Sequence, residues 1–159
     1  MTRTRTVLTS TLLVAVVAAP LSPAYALFDK TRFALHLGAA YFAFHQWDLK
    51  PYQQGKFSAG APGRAANMVK GGLALAFAAH EVSVARKVAH NSGSPVLQKL
   101  DAGLNNLSTE MSTLGGRLKG GNLNPADIKA LDSDTRSFST EAASAGQPIR
   151  DVPVAIPGL

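Results

Sequence analysis

Seven apolar residues, Leu97, Leu100, Leu104, Leu107, Met111, Leu114 and Leu118, follow one another at alternating steps of three and four. An α-helix makes about 3.6 residues per turn, so this spacing lays all seven along one side as an a/d seam of about three heptads. A strand, whose side chains alternate between two faces, would scatter them. The residues between them are mostly Asp, Asn, Ser, Thr and Lys. One face is therefore built to be buried and the other to meet water. The seam needs an apolar partner, supplied either by other helices of the chain or by a second copy, and the oligomeric state stays open.

Further helical faces are present to cover it. Phe33, Leu37, Ala40, Phe44 and Trp47 recur at steps of four and three, with Asp29 placed to cap the helix and Pro51 to stop it. From Ala65 to His90 the chain is rich in Ala and Leu, and Leu73, Phe77, His80, Val84 and Val88 suggest the buried stripe of a second helix. Gly71 and Gly72 weaken that helix but let another backbone approach closely. Asn91-Ser92-Gly93 ends it, and Ser94-Pro95 restarts the chain. Asn124-Pro125 opens a last helix, with Asp127 in its first turn and Ile128, Leu131, Phe138 and Ala142 as its apolar face. The resulting expectation is an all-α chain, an antiparallel bundle of about four helices. A long Gly/Pro-rich loop, Lys50 to Arg64, follows the first helix, and residues 145–159 form a flexible, extended or disordered tail without core content.

The first 26 residues carry the pattern of a secretory signal. Arg3 and Arg5 precede an apolar run from Val7 to Ala19, and Ala24-Tyr25-Ala26 offers the small side chains a signal peptidase accepts. That run falls short of the ~20 residues needed to cross a bilayer. Cleavage is expected between Ala26 and Leu27, leaving a helical domain over 27–144 and the tail. No transmembrane segment is expected after cleavage, and the product should be secreted or associated with the cell envelope. Stability must come from packing, because the chain has no cysteine for disulfides, thiol chemistry or thiolate-bound metals.

The formal charge is +6, and it is uneven. Residues 27–87 hold eight Lys or Arg against Asp29, Asp48 and Glu81, while residues 88–159 hold six against seven acids. Outside the cytoplasm such a basic half meets anionic envelope polymers, lipid headgroups or an acidic protein partner, and no nucleic acid is expected. Trp47, Lys50, Tyr52, Lys56, Phe57 and Arg64 interleave rings and cations around the loop. Rings supply contact area and cations supply attraction, so these six are the candidate binding residues. The alternative is that the rings staple the loop to the core. No catalytic motif is present: the serines lack a Gly-x-Ser-x-Gly elbow, and Gly60-Ala-Pro-Gly63 lacks the lysine of a phosphate loop. No enzyme activity and no cofactor are expected. A second reading pairs His36 with His80, both near mid-helix, as ligands of a metal ion or haem in the bundle, although no His-x-x-x-His or Glu-x-x-His pattern supports it.

The segment from Tyr41 to Arg64, with Phe44-His45-x-Trp47-x-x-Lys50-Pro51-Tyr52-x-x-Gly55-x-Phe57 followed by Gly60-Ala-Pro-Gly-Arg64, resembles a segment of small secreted proteins of actinobacteria that have no assigned activity. The resemblance implies a secreted location and brings no cofactor or site. The expected function is thus that of an exported, non-enzymatic helical binding protein. Amino-terminal sequencing of the exported protein is expected to begin at Leu27; recovery of the chain with Arg3 and Arg5 still attached would contradict the signal assignment.

Overall fold

The computed structural model describes residues 23–159, so most of the expected signal lies outside the described residues. Those residues form helices α1 (Pro23–Phe44), a π-helical turn (His45–Leu49), α2 (Lys50–Gln53), α3 (Arg64–Asn91), α4 (Pro95–Lys99), α5 (Asp101–Lys119) and α6 (Pro125–Ser144). No strand occurs among the described residues, and the chain is all-helical. Two of the pieces, α2 and α4, are short appendages of their longer neighbours.

The heptad seam is buried along its whole length, from Leu97 to Leu118. It packs within the chain. Leu100 interrupts the helical hydrogen bonding between α4 and α5 without leaving the buried face. Phe33, Leu37, Ala40 and Phe44 of α1 are likewise buried, as are Ile128, Leu131, Phe138 and Ala142 of α6. Asn124 caps α6 by accepting from the backbone N–H of Ala126 at 3.0 Å, with Pro125 in the first turn. Asp29 caps nothing, because α1 begins upstream of it at Pro23.

α3 is the central helix. It runs back along α1, since His36 meets Glu81 while Asp48 meets Gly71. It also runs back along α5, since Gly72 meets Gly115 while Arg86 meets Asp101. By length and composition α3 is apolar enough to cross a membrane, but half of its most apolar window is buried by neighbouring helices. Its buried face corrects the expected stripe. Met68, Gly71, Gly72, Ala74, Leu75, Ala78, Ala79, Val82, Ala85 and Ala89 are buried, as is Val88 of the expected stripe, whereas His80 is exposed and Leu73, Phe77 and Val84 are half-buried. At about 100° per residue the true face lies about 180° around the helix from the one that large side chains suggested. A helix flanked on both sides is held closest by its small residues. A Cβ on Gly72 would stand 2.8 Å from the Gly115 carbonyl oxygen, and one on Gly71 would stand 2.5 Å from Asp48 Oδ1. The two adjacent glycines therefore serve opposite neighbours.

The last fifteen residues also depart from expectation. Between turns at 145–146 and 157–158 they form neither helix nor strand, but they supply core. The Val152 N–H donates to the Gly38 carbonyl at 2.9 Å, and His45 Nδ1–H donates to Asp151 Oδ2 at 2.8 Å. Ile156 is buried, and Gly158 packs against Leu73. From Asp151 to Ile156 outward and inward residues alternate, so one edge of an extended segment closes over α1 and α3.

The glycine contact yields a matched pair of predictions. Gly72→Ala is expected to lose about 1 to 3 kcal/mol, because overpacking against backbone exceeds the ~1 kcal/mol gained in helix propensity. Gly116→Ala, whose Cβ would meet nothing within 4 Å, is expected to gain up to ~1 kcal/mol. Urea denaturation of the two variants measures both; a Gly72→Ala protein as stable as the parent would show that the helices do not cross there.

Candidate functional site

Pro51 was expected to end the first helix, and it does not. A proline inside a helix lacks the N–H for its own bond and collides with the carbonyl four residues back, here that of Trp47. The chain accommodates it by widening the preceding turn: the Lys50 N–H donates to the His45 carbonyl, five residues earlier, and His45–Leu49 forms a π-helical turn. The helical path then continues to Gln53, and Gln54 N–H closes it onto the Lys50 carbonyl at 3.0 Å. The irregular loop is correspondingly shorter, running from Gln54 to Gly63 as a chain of turns with Gly55 and Gly63 both at φ 69°.

Extending the helix past Pro51 puts Gln46, Lys50 and Gln54 one turn apart on a single face. Opposite them stand Asn67 and Lys70 from the start of α3, with Lys56 from the loop. Together with Trp47 and Pro51 these residues enclose a cleft of about 340 Å³. The Lys70 ammonium lies over the Trp47 ring, 5.9 Å from its centroid. All the charged residues lining the cleft are lysines. Its other polar groups are amides and the indole N–H, so it offers donors to an anion and no carboxylate, imidazole or hydroxyl to act as base or nucleophile.

The candidate binding residues thus separate into two groups. Trp47, Lys50 and Lys56 line the cleft. Phe57 is buried, Tyr52 is half-buried against the core, and Arg64 donates from Nε to the Phe57 carbonyl at 2.9 Å, so these three hold the loop down. Gln46, Gln54 and Asn67 were not foreseen, because reading Pro51 as a stop hid their spacing.

Beneath the cleft lies Asp48, 0 % exposed, with no hydrogen-bond partner for either carboxylate oxygen among the described residues. Burial pushes its pKa well above the usual carboxylate range, because the charged form loses its hydration and gains nothing in return. Burial thus disfavours the charged form of Asp48. Its position continues the buried series Leu37, Tyr41 and Phe44 at steps of four, three and four, which marks it as a core residue by spacing alone.

The two histidines of the metal reading lie in different settings. His36 Nδ1–H donates to Glu81 Oε2 at 2.6 Å, and His80 is exposed. No group of three His, Asp or Glu able to hold a metal ion occurs among the described residues. Tyr41 donates to the Thr135 carbonyl at 2.8 Å, and burial, followed by the nearby Asp151 charge, pushes its pKa up, so it acts as a tie between α1 and α6. The groove between α5 and α6 holds Glu110, Arg117, Asp127 and Asp134, but Arg117 is already paired with Asp127 at 2.6 Å. Comparison with protein-family models, curated proteins and solved structures found no match.

Asp48 carries a pH signature. A carboxyl whose pKa is raised by folding holds its proton where the unfolded chain has lost it, so its contribution is fully present below about pH 4 and declines as pH rises toward the folded-state pKa. Asp48→Asn is expected to equal the parent near pH 4 and to exceed it progressively above, by about 1.4 kcal/mol per pH unit within that window. Urea denaturation of both proteins between pH 4 and 8 tests this, and a stability difference independent of pH would contradict the burial of a lone carboxyl.

Proposed function

We propose that the chain is an exported helical bundle that works by binding, and that the lysine cleft receives an anionic group of an envelope polymer. The observation that supports this reading is the convergence of Lys50, Lys56 and Lys70 with Gln46, Gln54 and Asn67 around one face of Trp47, with no acid among the lining residues. Lysines act as compact point charges and the amides as directional donors, a combination suited to phosphate or carboxylate groups repeated along a polymer. The ring supplies an apolar wall for the sugar or glycerol carbons between those groups.

Export rests on the amino-terminal signal pattern, and the likeness of Tyr41 to Arg64 to secreted actinobacterial proteins belongs to the same proposal. A secreted or envelope-associated location would place the cleft opposite anionic wall polymers. A metal- or haem-binding role for His36 and His80 gains no support from their placement.

Lipid-free cell walls provide the test. The wild-type protein is expected to be retained at low salt and released as the Debye length falls from about 10 Å at 0.1 M to about 3 Å at 1 M. Lys50→Glu with Lys56→Glu is expected to lower retention at least ~10-fold with unchanged helical circular dichroism, since exposed charges contribute little to folding. Wild-type protein that ignores the walls at low salt, or a double variant retained as well as the parent, would overturn the reading.

A further inference from the structure

The beginning of α1 has a second apolar face that no other described residue covers. Leu27, Phe28 and Leu35 are 67 %, 61 % and 51 % exposed, although Phe33 and Leu37 of the same helix are fully buried. At about 100° per residue these three side chains span an arc of about 100° on the far side of α1 from its core face, with Thr31 among them, its hydroxyl donating to the Leu27 carbonyl at 3.1 Å. Lys30 flanks one edge of the arc and Arg32 the other, each within about 60° of the nearest apolar residue. Asp29 lies outside the arc, toward the core side. A groove of about 430 Å³ continues the surface between this part of α1 and the carboxy-terminal segment, where Arg150 adds a third cation.

We infer that this face docks on an anionic lipid bilayer. Large apolar side chains left in water beside one another mark an interaction surface, and a row of them bounded by cations on both flanks is the pattern of a helix lying in the headgroup layer. The apolar arc enters the acyl boundary while the basic side chains reach anionic headgroups. Arg32 already lies along the Phe28 ring, 5.7 Å from its centroid, so its charge sits at the level where an inserted ring meets water. Charge argues against a second copy as the occupant, because a symmetric contact would gather two sets of Lys30, Arg32 and Arg150 in one interface. The site is separate from the lysine cleft, and either one can fail without the other.

The test places a single indole in the face of the full chain: Leu35→Trp on a Trp47→Phe background, with Ala76→Trp on the same background as a control at an exposed position of α3. Vesicles of phosphatidylglycerol and brominated phosphatidylcholine are expected to quench the indole at position 35 by roughly half and to leave that at position 76 unchanged, as a face inserted to a depth of about 5 to 10 Å requires. About 1 M salt should abolish the quenching. So should Lys30→Glu, Arg32→Glu and Arg150→Glu combined, with circular dichroism confirming the fold. Equal quenching at both positions, quenching that survives charge reversal or persists in purely zwitterionic vesicles, or a blue shift with doubled mass in the absence of lipid would each overturn the inference. The last outcome would identify a second copy as the occupant.

Discussion

Two adjacent glycines in α3 set the spacing on which the other helices depend. Gly71 lets α3 close on the π-helical turn, and Gly72 lets it close on α5 at Gly115. In an isolated helix each would cost about 1 kcal/mol relative to alanine. Here they allow close approach on two sides at once, so one helix packs between two neighbours. The neighbours then supply the large side chains: Phe33, Leu37 and Phe44 from α1, and Leu104, Leu107 and Met111 from α5. Close packing of this kind offsets the helix penalty through dispersion contacts along the whole crossing.

The same contact places the cleft. Gly71 touches Asp48, and Lys70 and Asn67, one residue and one turn earlier on α3, form one wall. The opposite wall exists because the π-turn carries the helix through Pro51 and keeps Gln46, Lys50 and Gln54 in register. Asp48 sits in the π-turn against Gly71, buried and with no hydrogen-bond partner among the described residues, and burial raises its pKa. A π-turn beside a buried titratable group is a costly local arrangement, and such turns are frequent at functional sites. That cost sits beside the lysine cleft.

Much of the fold was legible in the residues. The seam from Leu97 to Leu118, the α1 stripe and the Asn124 cap follow from spacing and side-chain chemistry. The face of α3 was not, because periodicity weights large residues, and Leu73, Phe77 and Val84 outweigh the glycines and alanines that lie inward. Close approach is a property of two helices together, and one helix's pattern does not contain it. Pro51 misled for a related reason: its steric rule holds for a regular α-helix, and the widened turn avoids it. The carboxy-terminal segment carried a readable sign in its alternation of Val152, Val154 and Ile156, hidden by prolines that usually mark mobile ends. At the candidate site, Trp47, Lys50 and Lys56 were found by type, whereas Phe57 and Arg64 turned out to secure the loop. Gln46, Gln54 and Asn67 needed the helix to continue past Pro51 before they could be seen on one face.

The central claim is that helix packing, through the π-turn and the paired glycines, assembles separate lysines and amides into one anion-binding cleft. Nuclear magnetic resonance of the isotope-labelled protein titrated with inorganic polyphosphate tests it most directly, because each contributing group reports separately. The account predicts saturable shifts of the Trp47 indole N–H, the Gln46, Gln54 and Asn67 side-chain amides and the backbone around Lys70, with one common midpoint. Shifts scattered over all exposed lysines, Lys99 and Lys129 included, without saturation would contradict it.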